Sequence, residues 1–230
     1  MSQERVLVVG GTSGLGLRIA DLFLGSSAEV HVIGRDPSLL GGGLHFHKVD
    51  LCHDDLLKSF SDVTRSIDER LDVVVYVAGF YQEGKIGELM FADLEEMIGI
   101  GLLAPAGLLN VVLRKQNTLP GCIIVTSTSQ WIPRKWEPVY SAVKAGLAAF
   151  ARSVSLDPAV GKVLLVAPAG MKTPFWKGVG KDTSTMLDPS YVATEIYNYW
   201  SRMSGDGELH VLREPPRSEW RSLVRDDLEW

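Results

Sequence analysis

The sequence predicts one α/β domain built on a doubly wound parallel sheet of about seven strands, with helices on both faces. Three observations predict it. The 230 residues suit a single large hydrophobic core. Short apolar runs recur along the chain, each followed by a stretch with helical period, which is the pattern of βαβ units. A glycine-rich turn lies between the first apolar run and the first helical stretch, where doubly wound folds bind phosphate.

Each element can be justified in order. Residues 5–9 are apolar and read as a buried strand. Residues 17–25 form a helix whose Leu17, Ile19, Ala20, Leu22, Phe23 and Leu24 mostly face inward. Residues 29–33 are a second strand, closed by Gly34 and Arg35. Asp36 and Pro37 then read as the cap and first residue of a short helix that ends at Gly41. A third strand at 44–49 places His45 and His47 on one face. Residues 54–70 read as a helix with acidic residues in its first turn, and 71–77 as a strongly apolar fourth strand. Residues 89–114 carry a long helical pattern in which Pro105 marks a kink or a tightly packed point. A fifth strand covers 121–126, a helix 138–156 and a sixth strand 162–166.

Residues 171–190 break the alternation. Rich in Gly, Lys, Thr, Ser and Asp, and carrying Phe175 and Trp176, they read as a mobile flap. A helix at 189–203 and a strand at 208–212 complete the domain 1–213. The tail 214–230 opens with Pro215 and Pro216, then shows Trp220, Leu223, Val224 and Leu228 at helical spacing. Such a stripe is expected to pack on the domain or on a partner subunit.

Composition narrows the function classes. Hydrophobic residues are 46% and charged residues 22%, the balance of a soluble globular chain. The net charge of −5, with no basic run, argues against nucleic acid as a partner. No stretch reaches about 18 uninterrupted apolar residues, so no membrane span is expected. The first residues lack the apolar region of a signal peptide. Two cysteines, Cys52 and Cys122, are too few for a disulfide framework. A cytoplasmic, reducing setting is the expectation. No metal site is expected: His45 and His47 lie far from the end of the sheet that holds the glycine turn, and His53 and His210 have no evident partner.

Two stretches point to chemistry. Gly10-Gly11-Thr12-Ser13-Gly14-Leu15-Gly16 lets the backbone approach a pyrophosphate, and the helix that follows offers free N–H groups and a positive dipole end. Thr12 and Ser13 add hydroxyl donors. Its spacing is Gly-x3-Gly-x-Gly rather than the commoner Gly-x-Gly-x-x-Gly. Further on, Tyr140 and Lys144 are four residues apart, one turn apart on one helix face. An ammonium beside a phenol favours the phenolate and lowers its pKa from about 10, which makes a proton donor usable near neutral pH. The pair also fits an amphipathic helix with a surface lysine and a half-buried tyrosine.

Further features appear in order with these two. Ser127 lies thirteen residues before Tyr140, Asp50-Leu51 follow the third strand, Ala78-Gly79 the fourth, and Pro168 and Thr173 the sixth. Together they make the chain resemble the short-chain dehydrogenase/reductase family across 5–212. The resemblance implies a Rossmann-like fold, a bound NAD(H) or NADP(H), and oxidoreductase activity on a small carbonyl or alcohol substrate. By position, Gly10, Thr12, Ser13, Gly14, Leu15 and Gly16 would hold the pyrophosphate and adenosine ribose. Asp50 would meet the adenine, with Leu51 beside it, and Ala78 and Gly79 would pass under the ribose. Tyr140 and Lys144 would touch the nicotinamide ribose, and Pro168, Met171 and Thr173 the carboxamide and nearby phosphate. Ser127, Tyr140 and Lys144 would be catalytic, with Ser129 a rival to Ser127. Family members also commonly form homodimers or homotetramers.

Cofactor choice turns on Gly34 and Arg35. A small residue followed by a guanidinium suits a ribose 2′-phosphate, so NADP(H) is expected rather than NAD(H). Asp36 would oppose that phosphate unless its capping role turns it away. The aromatics Phe80, Tyr81, Trp131, Trp136, Phe175 and Trp176 suggest an apolar or aromatic substrate, or else a covered core or interface. One departure from the family stands out. Gly101 occupies the place of the helix asparagine that anchors a proton-relaying water beside the lysine, and Asn110 is half a turn out of phase. Two alternatives therefore stay open: a same-fold dehydratase, isomerase or cyclase, or a non-enzymatic cofactor sensor.

Overall fold

The computed structural model describes residues 3–223. Eight strands form one sheet: β1 (Arg5–Val9), β2 (Glu29–Gly34), β3 (Leu44–Lys48), β4 (Val73–Tyr76), β5 (Leu119–Val125), β6 (Val160–Pro168), β7 (Gly207–Arg213) and β8 (Pro216–Arg221). Their order is β3-β2-β1-β4-β5-β6-β7-β8. All pairs through β7 are parallel, and β8 returns antiparallel along β7. The helices are α1 (Gly14–Gly25), α2 (Leu56–Ser66), α3 (Phe91–Ile98), α4 (Ala104–Gln116), α5 (Pro138–Val154) and α6 (Pro189–Arg202).

The strands are apolar on both faces because both faces are covered. Leu7, Val9, Ile33, Tyr76, Ile124 and Leu165 alternate onto one face, in the core formed with α2, α4 and α5. Val6, Val8, Val32, Val75, Ile123 and Val166 point to the other, in the core formed with α1 and α6. The winding reverses at β1, whose neighbours are β2 and β4. That reversal opens a crevice beyond the carboxyl ends of these strands.

Several expectations need correction. The tail is a strand, not a helix. Ser218 and Trp220 share one side of β8: the Ser218 hydroxyl donates to the Glu195 carboxylate, and Trp220 stacks on Tyr199 of α6 at 5.6 Å. The open edge of β7 offers backbone partners along the whole segment, and period two wins over the helical spacing. Leu223 is buried in the core; Val224 and Leu228 lie outside the described residues. The helix expected after Asp36 does not form. Asp36 instead accepts from Ser38 N (2.9 Å) and Ser38 Oγ (3.0 Å), a local turn that competes with helix. The helix expected over 54–70 is shorter, and Asp55 caps it by accepting from Lys58 N at 3.0 Å.

Pro105 is accommodated by a π turn. Gly99–Leu103 joins α3 to α4, with the Ala104 N–H donating to the Gly99 carbonyl. Proline has no N–H for the next bond of the ladder, and a wide turn before it absorbs the mismatch. The helical run Phe91–Gln116 has 26 residues and is apolar enough by composition to cross a membrane, and half of its most apolar window is buried inside the fold. Leu108, Leu109 and Val112 place α4 in the core below the sheet.

Candidate active site

The glycine turn is shaped by contacts that exclude side chains. Gly10 has φ +84°, and a Cβ there would lie 2.8 Å from the Ala78 backbone. A Cβ on Gly16 would lie 2.1 Å from the Gly10 carbonyl oxygen, so α1 starts tight against the turn. Ser13 caps α1 without a side-chain hydrogen bond, and the first intrahelical bond runs from Leu17 N to Ser13 O at 3.2 Å. The N–H groups of Gly14, Leu15 and Gly16 precede that bond and face the crevice, a setting that suits an anion.

These groups line one cavity of about 340 Å³ that runs along the strand ends. At one end it meets Thr12, Gly34, Arg35, Asp50 and Leu51; Ala78 and Gly79 form its middle. Asp50 uses Oδ1 to accept from Cys52 N at 3.0 Å. Arg35 makes no ion pair among the described residues, and Asp36 is occupied by Ser38. Pro168, Met171 and Thr173 also line the cavity, and Thr173 lies against Gly14.

Ser127, Tyr140 and Lys144 converge at its other end. Pro138 opens α5 and its fixed φ starts the helix that aims Tyr140 and Lys144 at the cavity. Tyr140 is 8% exposed and Lys144 is 5% exposed. Burial raises the Tyr140 pKa above the ordinary phenol value, against the pull of its Ser127 hydrogen bond. The expectation that Lys144 depresses this phenol is thereby reversed. The lysine Nζ donates to the Val125 carbonyl at 3.3 Å and lies 5.7 Å from the centroid of the tyrosine ring. Burial in turn pushes the Lys144 ammonium down to about 8.

The flap is seated against this end. Trp176 Nε1 donates to the Met171 carbonyl at 2.8 Å, and Lys181 lies 3.4 Å from Glu83. Tyr81, Phe175 and Trp176 pack around Tyr140, with Tyr81 edge-on to it at 5.0 Å. Phe80, Phe175 and Trp176 line the cavity; Tyr81, Trp131 and Trp136 do not. Trp131 lies over His210 at 4.3 Å, and Lys85 and Lys135 each approach Trp136 at 5.0 Å. His210 is not partnerless either: it pairs with Glu208 at 2.7 Å. His45 and His47 stack with His31 on the far edge of the sheet. No three candidate ligands converge for a metal among the described residues.

The model of the short chain dehydrogenase family matches residues 4–184. The chain belongs to this family. Its relatives include a 3-oxoacyl-[acyl-carrier-protein] reductase of Chlamydia pneumoniae, 27% identical over 184 residues and covering 74% of both chains. A sorbitol-6-phosphate 2-dehydrogenase of Klebsiella pneumoniae is 30% identical over 198 residues, covering 74% of this chain and 71% of that one. Among solved structures, a short-chain dehydrogenase from Sphingobium yanoikuyae in complex with NADPH superposes with a TM-score of 0.78. It is 20% identical, with 89% and 87% of the two chains covered. That likeness concerns the fold.

This short-chain dehydrogenase has a crowded Gly101. A Cβ there would lie 2.1 Å from Val143 Cγ1, so the space for an asparagine side chain is filled from α5. It also has polar neighbours that sequence reasoning missed. Arg134 and Glu137 border the cavity beside Ser127 and Ser129. Glu137 is 4% exposed and pairs with Arg134 at 3.2 Å. Its only sequence signal is an acid directly before the proline that opens a helix, which reads as a cap. Its carboxylate makes no cap bond.

Proposed function

We propose that this dehydrogenase interconverts a carbonyl and an alcohol on a small apolar or aromatic molecule, using NADP(H) rather than NAD(H). The observation that carries the reading is one continuous cavity with a phosphate-type glycine cradle at one end and Ser127, Tyr140 and Lys144 at the other. The cradle fits a dinucleotide because the space a Cβ would fill at Gly10 and Gly16 is backbone, and free N–H groups face it. Arg35, with its charge not already paired, supports a 2′-phosphate.

The nicotinamide, when bound, supplies or takes the hydride. The residues of the chain do the rest. Tyr140 gives its proton to the carbonyl oxygen as general acid. Ser127 donates a hydrogen bond to the same oxygen and fixes its place. Lys144 faces the ribose side of the site. Phe80, Phe175 and Trp176 exclude water and give the substrate an apolar wall. Self-association through the exposed Ile98 and Leu103 of the long helix and the Ala142, Ala145 and Ala149 face of α5 is part of the same reading.

Incubation with NADPH and a panel of aromatic aldehydes and ketones, followed by cofactor absorbance, tests it. Substrate-dependent oxidation is expected, and Tyr140→Phe should lower kcat roughly 100- to 10,000-fold while NADPH still binds. A Tyr140→Phe chain with full activity would refute the assignment of the acid.

A further inference from the structure

We propose that Ser129 and Glu137 continue from Ser127 as a proton relay joining Tyr140 to solvent, on the side of the tyrosine away from Lys144. The proposal rests on the carbonyl–alcohol reading above and adds the route by which Tyr140 regains its proton.

Four observations carry it. First, a run of polar groups leads away from Tyr140: Ser127 is close enough to pull on the Tyr140 phenol, Ser127 Oγ donates to Ser129 Oγ at 3.3 Å, and Ser129 Oγ donates to Glu137 Oε2 at 2.9 Å. The serine–serine step is longer than the serine–carboxylate step, and catalytic hydrogen bonds tighten when a site fills. Second, Ser129 and Glu137 are 2% and 4% exposed. A buried carboxylate needs partners, and this one takes them from Ser129, Tyr81 and Arg134 rather than from the start of its own helix. Third, the far end of the chain is wet. Arg134 Nη1 reaches Ser129 Oγ at 2.8 Å, and Lys181 Nζ lies 3.6 Å from Glu137 Oε1, with side chains 39% and 31% exposed. Tyr81 also donates to Glu137 Oε1 at 3.2 Å, and Glu83 balances Lys181. Fourth, the lysine side offers no equivalent. Among the described residues Lys144 Nζ has one hydrogen bond, to a backbone carbonyl, and Val143 blocks a polar side chain at position 101.

Hydroxyls donate and accept, so the chain can be polarised either way. In reduction, Tyr140 loses its proton to the substrate oxygen. The phenolate takes the proton of Ser127, Ser127 takes that of Ser129, and Ser129 takes one that the Glu137 carboxylate has first accepted from water. Each O–H bond broken is matched by one formed, and water returns a proton to the carboxylate beside Arg134 and Lys181. Oxidation runs the same steps outward.

Glu137 acts through Ser129 and Ser127, so it is a positioning and relay residue rather than a catalytic one. Its test uses Glu137→Gln, which keeps the shape and cannot take a proton, and Ser129→Ala. In the infrared spectrum of the resting protein, acid titration should raise a carboxylic-acid band that Glu137→Gln lacks and Ser129→Ala shifts. In turnover of the best aromatic ketone of the panel, Glu137→Gln should lower kcat about tenfold or more and leave NADPH affinity unchanged, and Glu137→Ala, which leaves room for a small acid, should regain rate when formate is added. If Glu137→Gln melts well below wild type, Ser129→Ala should show the same loss of kcat with NADPH affinity unchanged. Loss without rescue by formate, or an unchanged kcat and pH profile, overturns the relay while leaving the Tyr140 assignment standing. A wild-type chain that reduces no carbonyl overturns both.

Discussion

At the scale of the residue, Gly101 is held by its neighbour rather than by its turn. Val143 Cγ1 occupies the volume an added side chain would need. Gly101→Asn should therefore cost about 1–3 kcal/mol by overpacking, read as a lower midpoint in urea, and a second change, Val143→Ala, should recover most of it. Arg35→Ala should weaken NADPH about 10- to 100-fold, the size of one charged hydrogen bond of about 1.5–3 kcal/mol, and NADH far less; fluorescence titration reads both. Lys144 gives a pH test. Its ammonium is held down to about 8 by burial, so it is protonated below that pH and neutral above. Cofactor affinity should fall as pH rises through about 8, and Lys144→Met should flatten the curve. Tyr140 and Lys144 were legible because helix geometry turns a spacing of four into proximity, and Ser127 was legible through the family resemblance. Glu137 was not, because its meaning depends on Ser129 and Lys181, which only the folded chain brings near.

At the scale of the element, the parallel strands were legible and the edges were not. Runs such as Val6-Leu7-Val8-Val9 are apolar on both faces and leave little choice. The tail shows both a helical and an alternating pattern, and the partner decides between them. Trp220 lies over Tyr199, and a Cβ on Gly207 would overlap its ring. Trp220→Ala should therefore cost about 1–2 kcal/mol, less than a fully buried tryptophan, and lower Tm by roughly 2–8 °C. The turn at Asp36 failed as a helix for a comparable reason: two hydrogen bonds from Ser38 satisfy the carboxylate locally. Pro105 was read correctly as a kink or a packed point, but its π turn has no signature in spacing.

At the scale of the whole molecule, the histidines at the β2–β3 edge link the fold to pH. His31 Nδ1 and His47 Nε2 are 2.9 Å apart, His45 stacks on His31, and Glu29 and Arg5 lie beside them. Burial holds His31 below its ordinary value and His47 at about 4. The folded chain thus binds fewer protons than the unfolded one. The stability is fully present above about pH 6.5 and is lost as pH falls toward 4. Unfolding free energies from urea titrations at pH 7 and pH 4.5 should differ by on the order of 1 kcal/mol, and His47→Gln should shrink the difference.

The antiparallel return of β8 has a further consequence. A parallel sheet that ended at β7 would present the backbone of a largely buried apolar strand as a template on which a second sheet could grow. β8 takes that position and ends the growth. It carries Arg217, Glu219 and Arg221, and Glu219 forms ion pairs with both arginines. A second copy is therefore denied strand addition at β7, and on this side of the sheet it meets the charged edge of β8 instead.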